Sequence, residues 1–283
     1  MEFRRLVAER DVERLRAFLS ESDPEDYLLE GIEEGVRDGR LWVGVEAERW
    51  VSFGRLHDLG HGEGWLSGLR VERSRRGQGF GSRLLDGLLG DGRSLGLSEF
   101  RAVIEDGNRA SQELFARHGF QPIVEMALRR GKMGNSNTAT LRRARAEDRI
   151  KGPIGWIPGQ LGRVDLLPGS AGGRFGRWDP RVLDRWIQEG KLFLGPGLAV
   201  AVQPDWLPEP RTMWVNPLQG TPGTLLPAVA SLAKTLGQEE WQAFLPSTEA
   251  LRREYSDLGL EPHPAWGDRI HLYERSEVPA QDR

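Results

Sequence analysis

Apolar residues fall into short runs and helical stripes along the first 130 positions. Where apolar residues recur three or four positions apart they indicate one face of an α-helix, and short apolar runs between turn residues are typical of strands. The pattern predicts helices over residues 11–20, 24–38, 81–89 and 109–118. It predicts strands over residues 3–7, 40–47, 50–57, 65–71, 100–104 and 120–130. We therefore expect an α/β fold, in which helices cover the faces of one mixed sheet.

A glycine-rich segment lies between the predicted strand ending at Val71 and the helix that follows it. It reads Arg76-Gly77-Gln78-Gly79-Phe80-Gly81. Glycines let the backbone turn tightly and bring its N–H groups close to a ligand, and the start of a helix adds unpaired donors and a partial positive charge. The segment therefore predicts a site for a phosphate or pyrophosphate group.

Two common phosphate-binding motifs do not fit this segment. A nucleotide P-loop requires Gly-Lys-Ser/Thr, and no lysine follows the glycines here. A dinucleotide fingerprint requires G-x-G-x-x-G directly after the strand, whereas this chain has G-x-G-x-G after several intervening residues. The glycine segment by itself is also compatible with a flexible turn.

A second motif follows the next predicted strand. Asn108 precedes a helix that contains Leu114-Phe115, and Gly119-Phe120 follows Phe115 after three intervening residues. Together, Arg-x-x-Gly-x-Gly after a strand and Asn before a helix ending in Leu-Phe-x-x-x-Gly-Phe resemble the GNAT family of acyl-CoA-dependent N-acetyltransferases. The resemblance covers residues 1–131 and implies acetyl-CoA as co-substrate and an amine-bearing acceptor.

The resemblance also implies roles for particular residues. Backbone amides of the glycine segment would hold the pyrophosphate of the cofactor, and the end of the preceding strand would pair with the pantetheine arm and polarise the thioester carbonyl. Asn108 would orient the pantetheine end, or serve only as a helix cap. The implied cofactor-binding residues are Leu69, Arg70, Val71, Arg76, Gly77, Gln78, Gly79, Phe80, Gly81, Ser82, Asn108 and Phe115. No metal is implied.

The proton-transfer groups are less well defined. The family often has a tyrosine that protonates the departing thiolate at the position of Phe115, and phenylalanine has no proton to give. Glu63 and Glu105 are the candidate general bases, with His57 and His61 as further choices. A water chain could also carry the proton.

The second half of the sequence resembles the first. Residues 141–147, 190–195 and 255–262 resemble residues 3–9, 39–44 and 115–122, in the same order. We predict an acetyl-CoA-binding domain over 1–131, a linker over 132–138, and a degenerate GNAT-like copy over 139–283. The copy has no Arg-x-x-Gly-x-Gly at the matching place, where Pro222 removes a backbone donor. A Gly- and Pro-rich insert spans residues 151–176.

Composition narrows the class of protein. The 283 residues carry a formal net charge of −3 with a pI of about 6.0, which argues against nucleic-acid binding. No apolar run is long enough to cross a bilayer, and there is no cysteine. We expect a cytoplasmic protein without a membrane or nucleic-acid partner. The alternatives to an acetyltransferase are a non-catalytic acyl-CoA-binding or partner-binding GNAT-like protein, and a protein–protein module whose tryptophans form an interface.

Overall fold

The computed structural model describes most of the chain, in two compact units. The described residues are 1–6, 10–22, 26–29, 32–37, 39–134, 140–148, 166–168, 174–177, 180–204, 211–264 and 266–277. The first unit comprises Met1–Val103, Asn108–Gln121 and Tyr273–Arg283, and the second comprises Ile104–Gly107 and Pro122–Leu272. Each unit thus takes a segment from the other half of the sequence. The domain boundaries predicted from the sequence, at residues 131 and 139, describe the order of the two copies along the chain. They remain a prediction.

The first unit has a mixed sheet with helices on both faces. Its strands, in spatial order, are β1 (Glu2–Leu6), β2 (Leu41–Glu46), β3 (Arg49–Gly60), β4 (Glu63–Val71) and β5 (Glu99–Glu105). Strands β1 to β4 pair antiparallel, and β4 and β5 pair parallel. Its helices are α1 (Arg10–Ser22), α2 (Ile32–Arg37), α3 (Phe80–Ser94) and α4 (Arg109–Arg117). This is the α/β mixed-sheet fold that the sequence predicts.

Neighbouring residues of β3 point to opposite faces of this sheet. Phe53 joins a buried cluster with residues of α1 and α2, such as Leu15 and Ile32. Gly54 lies under α3, where an added Cβ would come within 2.9 Å of a methyl group of Leu88. The absence of a side chain at Gly54 therefore allows α3 to pack closely on the sheet.

The sequence-based elements differ from the structure mainly at their ends. The predicted helix over 24–38 is not continuous in the described residues, because a short 3-10 turn (Tyr27–Leu29) precedes α2. A tight turn around Glu48 joins β2 to β3, with φ values of 47° at Ala47 and 64° at Glu48. Such a turn with two positive φ values matches the twist of the strands it connects.

The second unit has a sheet of similar design. Its elements are β6 (Gln121–Lys132), β7 (Arg142–Arg143), β8 (Leu166–Pro168), β9 (Phe175–Arg177), α5 (Pro180–Gln188), β10 (Leu192–Gly195), β11 (Leu198–Pro204), β12 (Thr212–Gln219), α6 (Pro222–Thr235), β13 (Glu240–Pro246), α7 (Glu249–Asp257), β14 (Glu261–Pro262) and β15 (Ile270–Ser276). The spatial order is β6-β13-β12-β11-β10-β7. Strand β14 pairs with β6, β8 pairs with β9, and β12 and β13 are parallel neighbours. Residues 273–276 of β15 belong to the first unit.

The predicted linker begins inside the second unit. Strand β6 extends to Lys132, Met133 donates its backbone N–H to the carbonyl of Glu239, and Gly134 donates to that of Ala230. Residues 135–139 lie outside the described residues, as does most of the predicted insert over 151–176. None of the described helices has the length and apolar character needed to span a membrane.

Candidate active site

The parallel strands β4 and β5 pair over only a short distance. Their register runs from Glu63 opposite Glu99 to Trp65 opposite Arg101, and no further pairing of the two is recorded in the described residues. Strand β4 nevertheless pairs with β3 as far as Val71 opposite Ser52. The other edge of β4, beyond Trp65, therefore keeps backbone N–H and C=O groups with which an extended ligand can pair.

A β-bulge interrupts β4 along this edge. Arg55 of β3 lies opposite Ser67, but Phe53 lies opposite Arg70, so that β4 contains one extra residue. Gly68 has a φ of +64°, and an added Cβ there would lie 3.0 Å from a methyl group of Leu28. A bulge redirects backbone groups out of the ladder and is common beside active sites. The sequence analysis did not predict it, although glycine inside a strand is its usual signal.

The glycine segment adopts the left-handed backbone conformation at two positions. Gly77 has a φ of 75° and Gly79 a φ of 80°, and an added Cβ at either would meet no atom within 4 Å. Glycine is therefore favoured at both positions by the backbone conformation and not by a lack of space. Gly79 is the N-cap of α3 and provides no side-chain cap. The first N–H groups of this 15-residue helix consequently retain their capacity to bind an anion.

Side chains around the segment hold its shape. Phe80 is 3% exposed, so that its ring anchors the loop in the core, with the guanidinium carbon of Arg83 4.2 Å from the ring centroid. Gln78 donates from Nε2 to the carbonyl of Ser74 at 3.0 Å. Arg76 donates from Nε to the carbonyl of Val71 at 3.3 Å, which places this arginine at the end of β4.

Two other predicted cofactor residues have side chains that are already engaged. Arg70 forms a two-pronged ion pair with the buried carboxylate of Asp26, from Nε at 2.7 Å and from a terminal nitrogen at 3.1 Å. Ser82 Oγ lies 3.1 Å from Nε2 of His118. For Arg70, this pairing leaves the backbone as the part suited to contact a ligand at the edge of β4.

The start of α4 lies in the same compact unit as the glycine segment. Asn108 caps the helix, because its Oδ1 accepts the N–H of Ser111 at 3.1 Å. Its side chain is exposed, and its amide nitrogen makes no hydrogen bond to a described residue. Both roles considered for Asn108 are thus compatible, since capping uses only the amide oxygen.

Phe115 offers no proton at the position where a tyrosine was considered. Its ring is 3% exposed and packs edge-to-face against Phe120, with centroids 4.8 Å apart.

Gly81, the last glycine of the segment, has room for a methyl group. An added Cβ would be in ordinary contact with Leu114 at 3.5 Å and Val71 at 3.6 Å.

Residues 7–120 match the model of the Acetyltransferase (GNAT) family. This part of the chain therefore has the sequence pattern of a GNAT domain. No curated protein sequence matches the chain.

Solved structures share the fold over nearly the whole chain. A GCN5-related N-acetyltransferase from Sphaerobacter thermophilus is 15% identical with a TM-score of 0.64, over 98% of this chain and 96% of that one. A protein of Thermoplasma acidophilum with a proposed acetyltransferase activity is 18% identical with a TM-score of 0.65, over 98% and 100%. A tandem GNAT protein of the clavulanic acid biosynthesis pathway is 14% identical with a TM-score of 0.58, over 99% of each chain. The chain therefore has a tandem GNAT fold. The family match over residues 7–120 supports acyl transfer from a coenzyme A thioester in general terms.

One of the two carboxylates predicted as bases lies in a buried ion cluster of the GNAT sheet. Glu63 is 2% exposed and accepts a hydrogen bond from Arg101 at 2.7 Å. Glu99, at 2.7 Å, and Glu274, at 2.8 Å, accept from the other nitrogens of the same guanidinium. Burial lowers the pKa of Arg101, but the charges and hydrogen bonds of Glu63 and Glu274 outweigh it and leave that pKa raised. The structure thus gives Glu63 a charge-pairing role instead of the solvent-reached position expected of a general base.

The other base candidates occupy different environments. Glu105 is the half-buried last residue of β5 and belongs to the second unit. His57 is buried on β3, opposite Trp65, and His61 has a φ of 57° in the turn that follows β3. The general-base role of these three residues remains a prediction.

His118 lies close to the start of α3, and the sequence analysis did not identify it as a candidate site residue. Its Nδ1 lies 2.7 Å from the carbonyl of Leu114, which can only accept a hydrogen bond, so Nδ1 carries a proton; its Nε2 lies 3.1 Å from the Ser82 hydroxyl. Asp86 also lies 3.3 Å from Nε2. The histidine therefore connects the first turn of α3 to the end of α4, across 36 sequence positions that no local pattern spans.

The second unit repeats the sheet geometry without the glycine segment. Strands β12 and β13 stop pairing after Trp214 opposite Gln242, as β4 and β5 do. The N-cap of α6 is Thr221, whose N–H donates to the Thr224 hydroxyl at 3.2 Å, and Pro222 has no N–H. This helix start consequently has fewer free donors for a phosphate than that of α3.

A tyrosine is present in the second unit at the position that Phe115 occupies in the first. Tyr255 lies seven residues after the N-cap of α7, as Phe115 lies seven residues after that of α4. Its hydroxyl donates to the carbonyl of Pro246 at 3.0 Å. Burial raises the pKa of Tyr255, and the charge of Glu254 raises it further. Tyr255 therefore connects α7 to β13 as a neutral hydrogen-bond donor.

Proposed function

We propose that the first unit is an N-acetyltransferase, which transfers the acetyl group of acetyl-CoA to an amine of a small molecule or peptide. The observation that carries this proposal is the uncapped start of α3 at Gly79, in the same unit as the open edge of β4. A helix start with free N–H groups suits a pyrophosphate, and an open strand edge suits the pantetheine arm.

The proposed reaction is a direct attack. The neutral amine nitrogen bonds to the thioester carbonyl carbon, the C–S bond breaks, and the sulfur leaves as thiolate, which takes up a proton while the amine loses one. Backbone N–H groups near the Gly68 bulge stabilise the negative charge that develops on the carbonyl oxygen. The amide of Asn108 orients the pantetheine end. Because Phe115 has no proton to give, water supplies the proton that the thiolate takes up.

Phe115 and the buried ion pair of Glu63 favour a second candidate function, in which the protein binds an acyl-CoA without turnover. Both functions require a cofactor site at the glycine segment, and only the first requires release of free coenzyme A. The two can therefore be separated by measuring binding and turnover on the same protein.

Isothermal titration calorimetry with acetyl-CoA tests the shared site. Gly79→Trp places a large side chain at the start of α3, and Gly90→Trp is a matched control, since Gly90 lies on the same helix and also has open space around it. We expect the parent and Gly90→Trp to bind and Gly79→Trp to lose binding. Thiol release from acetyl-CoA in the presence of an amine panel then tests turnover. A folded parent that binds no acetyl-CoA would refute both candidate functions.

A further inference from the structure

His118 places a titratable ring beside the first turn of α3. Its Nε2 lies 3.1 Å from Oγ of Ser82 and 3.3 Å from a carboxylate oxygen of Asp86, and both of these residues are on α3. Histidine is the side chain that ordinarily changes its charge between about pH 5 and 8. The proposed reaction gives this ring no role, although the helix start beside it is the proposed site of the cofactor's pyrophosphate.

The ring is held in one orientation by contacts on both sides. Nδ1 donates to the carbonyl of Leu114 at 2.7 Å. The backbone carbonyl of His118 accepts a hydrogen bond from Arg275 at 2.6 Å, and Arg275 pairs in turn with Glu277 at 2.9 Å. The side chain of His118 is only 7% exposed. Among the described residues, the charged groups in hydrogen-bond or ion-pair contact with His118 are therefore the Asp86 carboxylate and the Arg275 guanidinium.

Ser82 lies on the first turn of α3, where backbone donors are free. The first backbone hydrogen bond of the helix runs from the N–H of Arg83 to the carbonyl of Gly79 at 3.1 Å, so the N–H groups of residues 80, 81 and 82 have no partner within the helix. Side chains of a helix lean towards its N-terminus, which brings the half-buried Ser82 side chain towards these donors. We therefore expect a phosphate held by these N–H groups to lie within reach of the Ser82 hydroxyl.

The charge of His118 decides where the Ser82 hydroxyl can donate. A hydroxyl has a single proton. Beside a neutral ring that carries its proton on Nδ1, Nε2 is an acceptor and takes the hydrogen bond of the hydroxyl. Beside a protonated ring, Nε2 is itself a donor to the Ser82 oxygen and to Asp86, so the hydroxyl proton is available to a phosphate. The protonated ring also brings a positive charge close to that phosphate.

We propose that binding of the cofactor's pyrophosphate is coupled to the uptake of one proton from solvent at Nε2 of His118. The new N–H donates to Oγ of Ser82, the Asp86 carboxylate stabilises the added charge, and the Ser82 hydroxyl donates to a phosphate oxygen. His118 acts through Ser82 and is thus a positioning residue of the cofactor site. This inference rests on the proposed function, and it predicts that acetyl-CoA binds more tightly as the pH falls.

Calorimetric titration of the full chain with acetyl-CoA tests the coupling. Titrations in buffers of equal pH but different ionisation enthalpies give the number of protons taken up on binding. His118→Gln keeps a side chain that forms hydrogen bonds but does not change its charge. The 3′-phosphate of acetyl-CoA contributes equally to parent and variant, so the difference between them isolates the ring. His263→Gln is the matched control, because His263 lies in the second unit.

We expect the parent and His263→Gln to take up more protons than His118→Gln near neutral pH. Between about pH 6 and about pH 8, the dissociation constant of the parent should rise by about two- to tenfold relative to that of His118→Gln. A histidine with a purely structural role would change the affinity at all pH values alike and would leave the proton uptake unchanged.

Equal proton uptake by the parent and a folded His118→Gln protein would overturn this inference and leave the proposed function standing. A folded parent that binds no acetyl-CoA would refute the proposed function, and this inference with it. If circular dichroism shows that His118→Gln is unfolded, NMR of the parent provides the test. The ring-proton resonance of His118 should then titrate with a higher pH midpoint when acetyl-CoA is bound, and an unchanged midpoint would overturn the inference.

Discussion

Arg101 donates from Nε to the carboxylate of Glu274 at 2.8 Å, across a separation of 173 residues. Both residues belong to the first compact unit, which takes Glu274 from the last described strand, β15. Glu63 and Glu99 form ion pairs with the other two nitrogens of the same guanidinium. One arginine in the interior of the sheet thus holds three carboxylates, one of which reaches it only because the end of the chain returns to this unit.

Arg101→Met should strongly destabilise the protein. The substitution leaves three buried carboxylates without their cation, and breaking a buried ion pair by removing one partner costs about 3–5 kcal/mol. Arg93→Met is the matched control, since Arg93 pairs with Glu277 at a partly exposed site, where such a pair contributes at most about 1 kcal/mol. Urea denaturation measures both free energies of unfolding. Equal losses for the two variants would contradict this account of the cluster.

Gly68→Ala should reduce both stability and activity. Alanine at a φ of +64° is strained, and its Cβ would press on Leu28 at 3.0 Å, so we expect a loss of about 1–3 kcal/mol. Gly81→Ala fits at ordinary contact distances and should leave the unfolding midpoint nearly unchanged. Thermal unfolding compares the two variants, and thiol release shows whether the bulge matters to turnover. A Gly68→Ala protein as stable as the parent would show that the bulge tolerates a side chain.

Phe115→Tyr tests whether proton delivery to the thiolate limits the reaction. If water supplies the proton in the parent, a phenol at this position should raise kcat several-fold at unchanged affinity for acetyl-CoA, because general acids contribute about 10²–10⁴-fold when well placed. Steady-state thiol release measures kcat, and calorimetry measures the affinity. Phe115→Leu, which adds no donor, is the control and should give no increase.

Tyr255→Phe should affect stability and not chemistry. The variant removes the hydroxyl that donates to Pro246 and leaves that carbonyl without this partner, at a cost of about 1 kcal/mol. We expect a lower unfolding midpoint and an unchanged kcat for thiol release. A large fall in kcat in a folded Tyr255→Phe protein would instead give the second unit a part in the reaction.

His263 should make the protein less stable in mild acid. Burial, helped by the charge of Arg130, lowers the pKa of His263 from 6.5 to about 4. Between these two values the unfolded chain binds a proton that the folded chain does not, so this stability contribution is complete above pH 6.5 and is lost as the pH falls towards 4. Unfolding free energies of the parent and of His263→Gln between pH 4 and 7 check this. The variant should show a flatter dependence over that interval.

The sequence by itself determined the elements and motifs that depend on local chemistry. The glycines at 77 and 79, the cap at Asn108 and the helical stripes of α3 and α4 can be identified from neighbouring residues, because turn conformation, capping and amphipathic periodicity are short-range properties. The likeness between the two halves was also visible, and it agrees with the tandem GNAT fold. The linear order of residues thus sufficed for the fold class and for the place of the glycine-rich helix start.

The tertiary structure alone decided which distant groups meet. In the fold, the segment that contains Glu274 belongs to the first unit, where Glu274 pairs with Arg101. Glu63, a candidate base, lies in the same buried cluster. The tertiary structure also joined Ser82 to His118. These relationships depend on strand register and on the volumes of side chains far apart in sequence, which no local periodicity encodes.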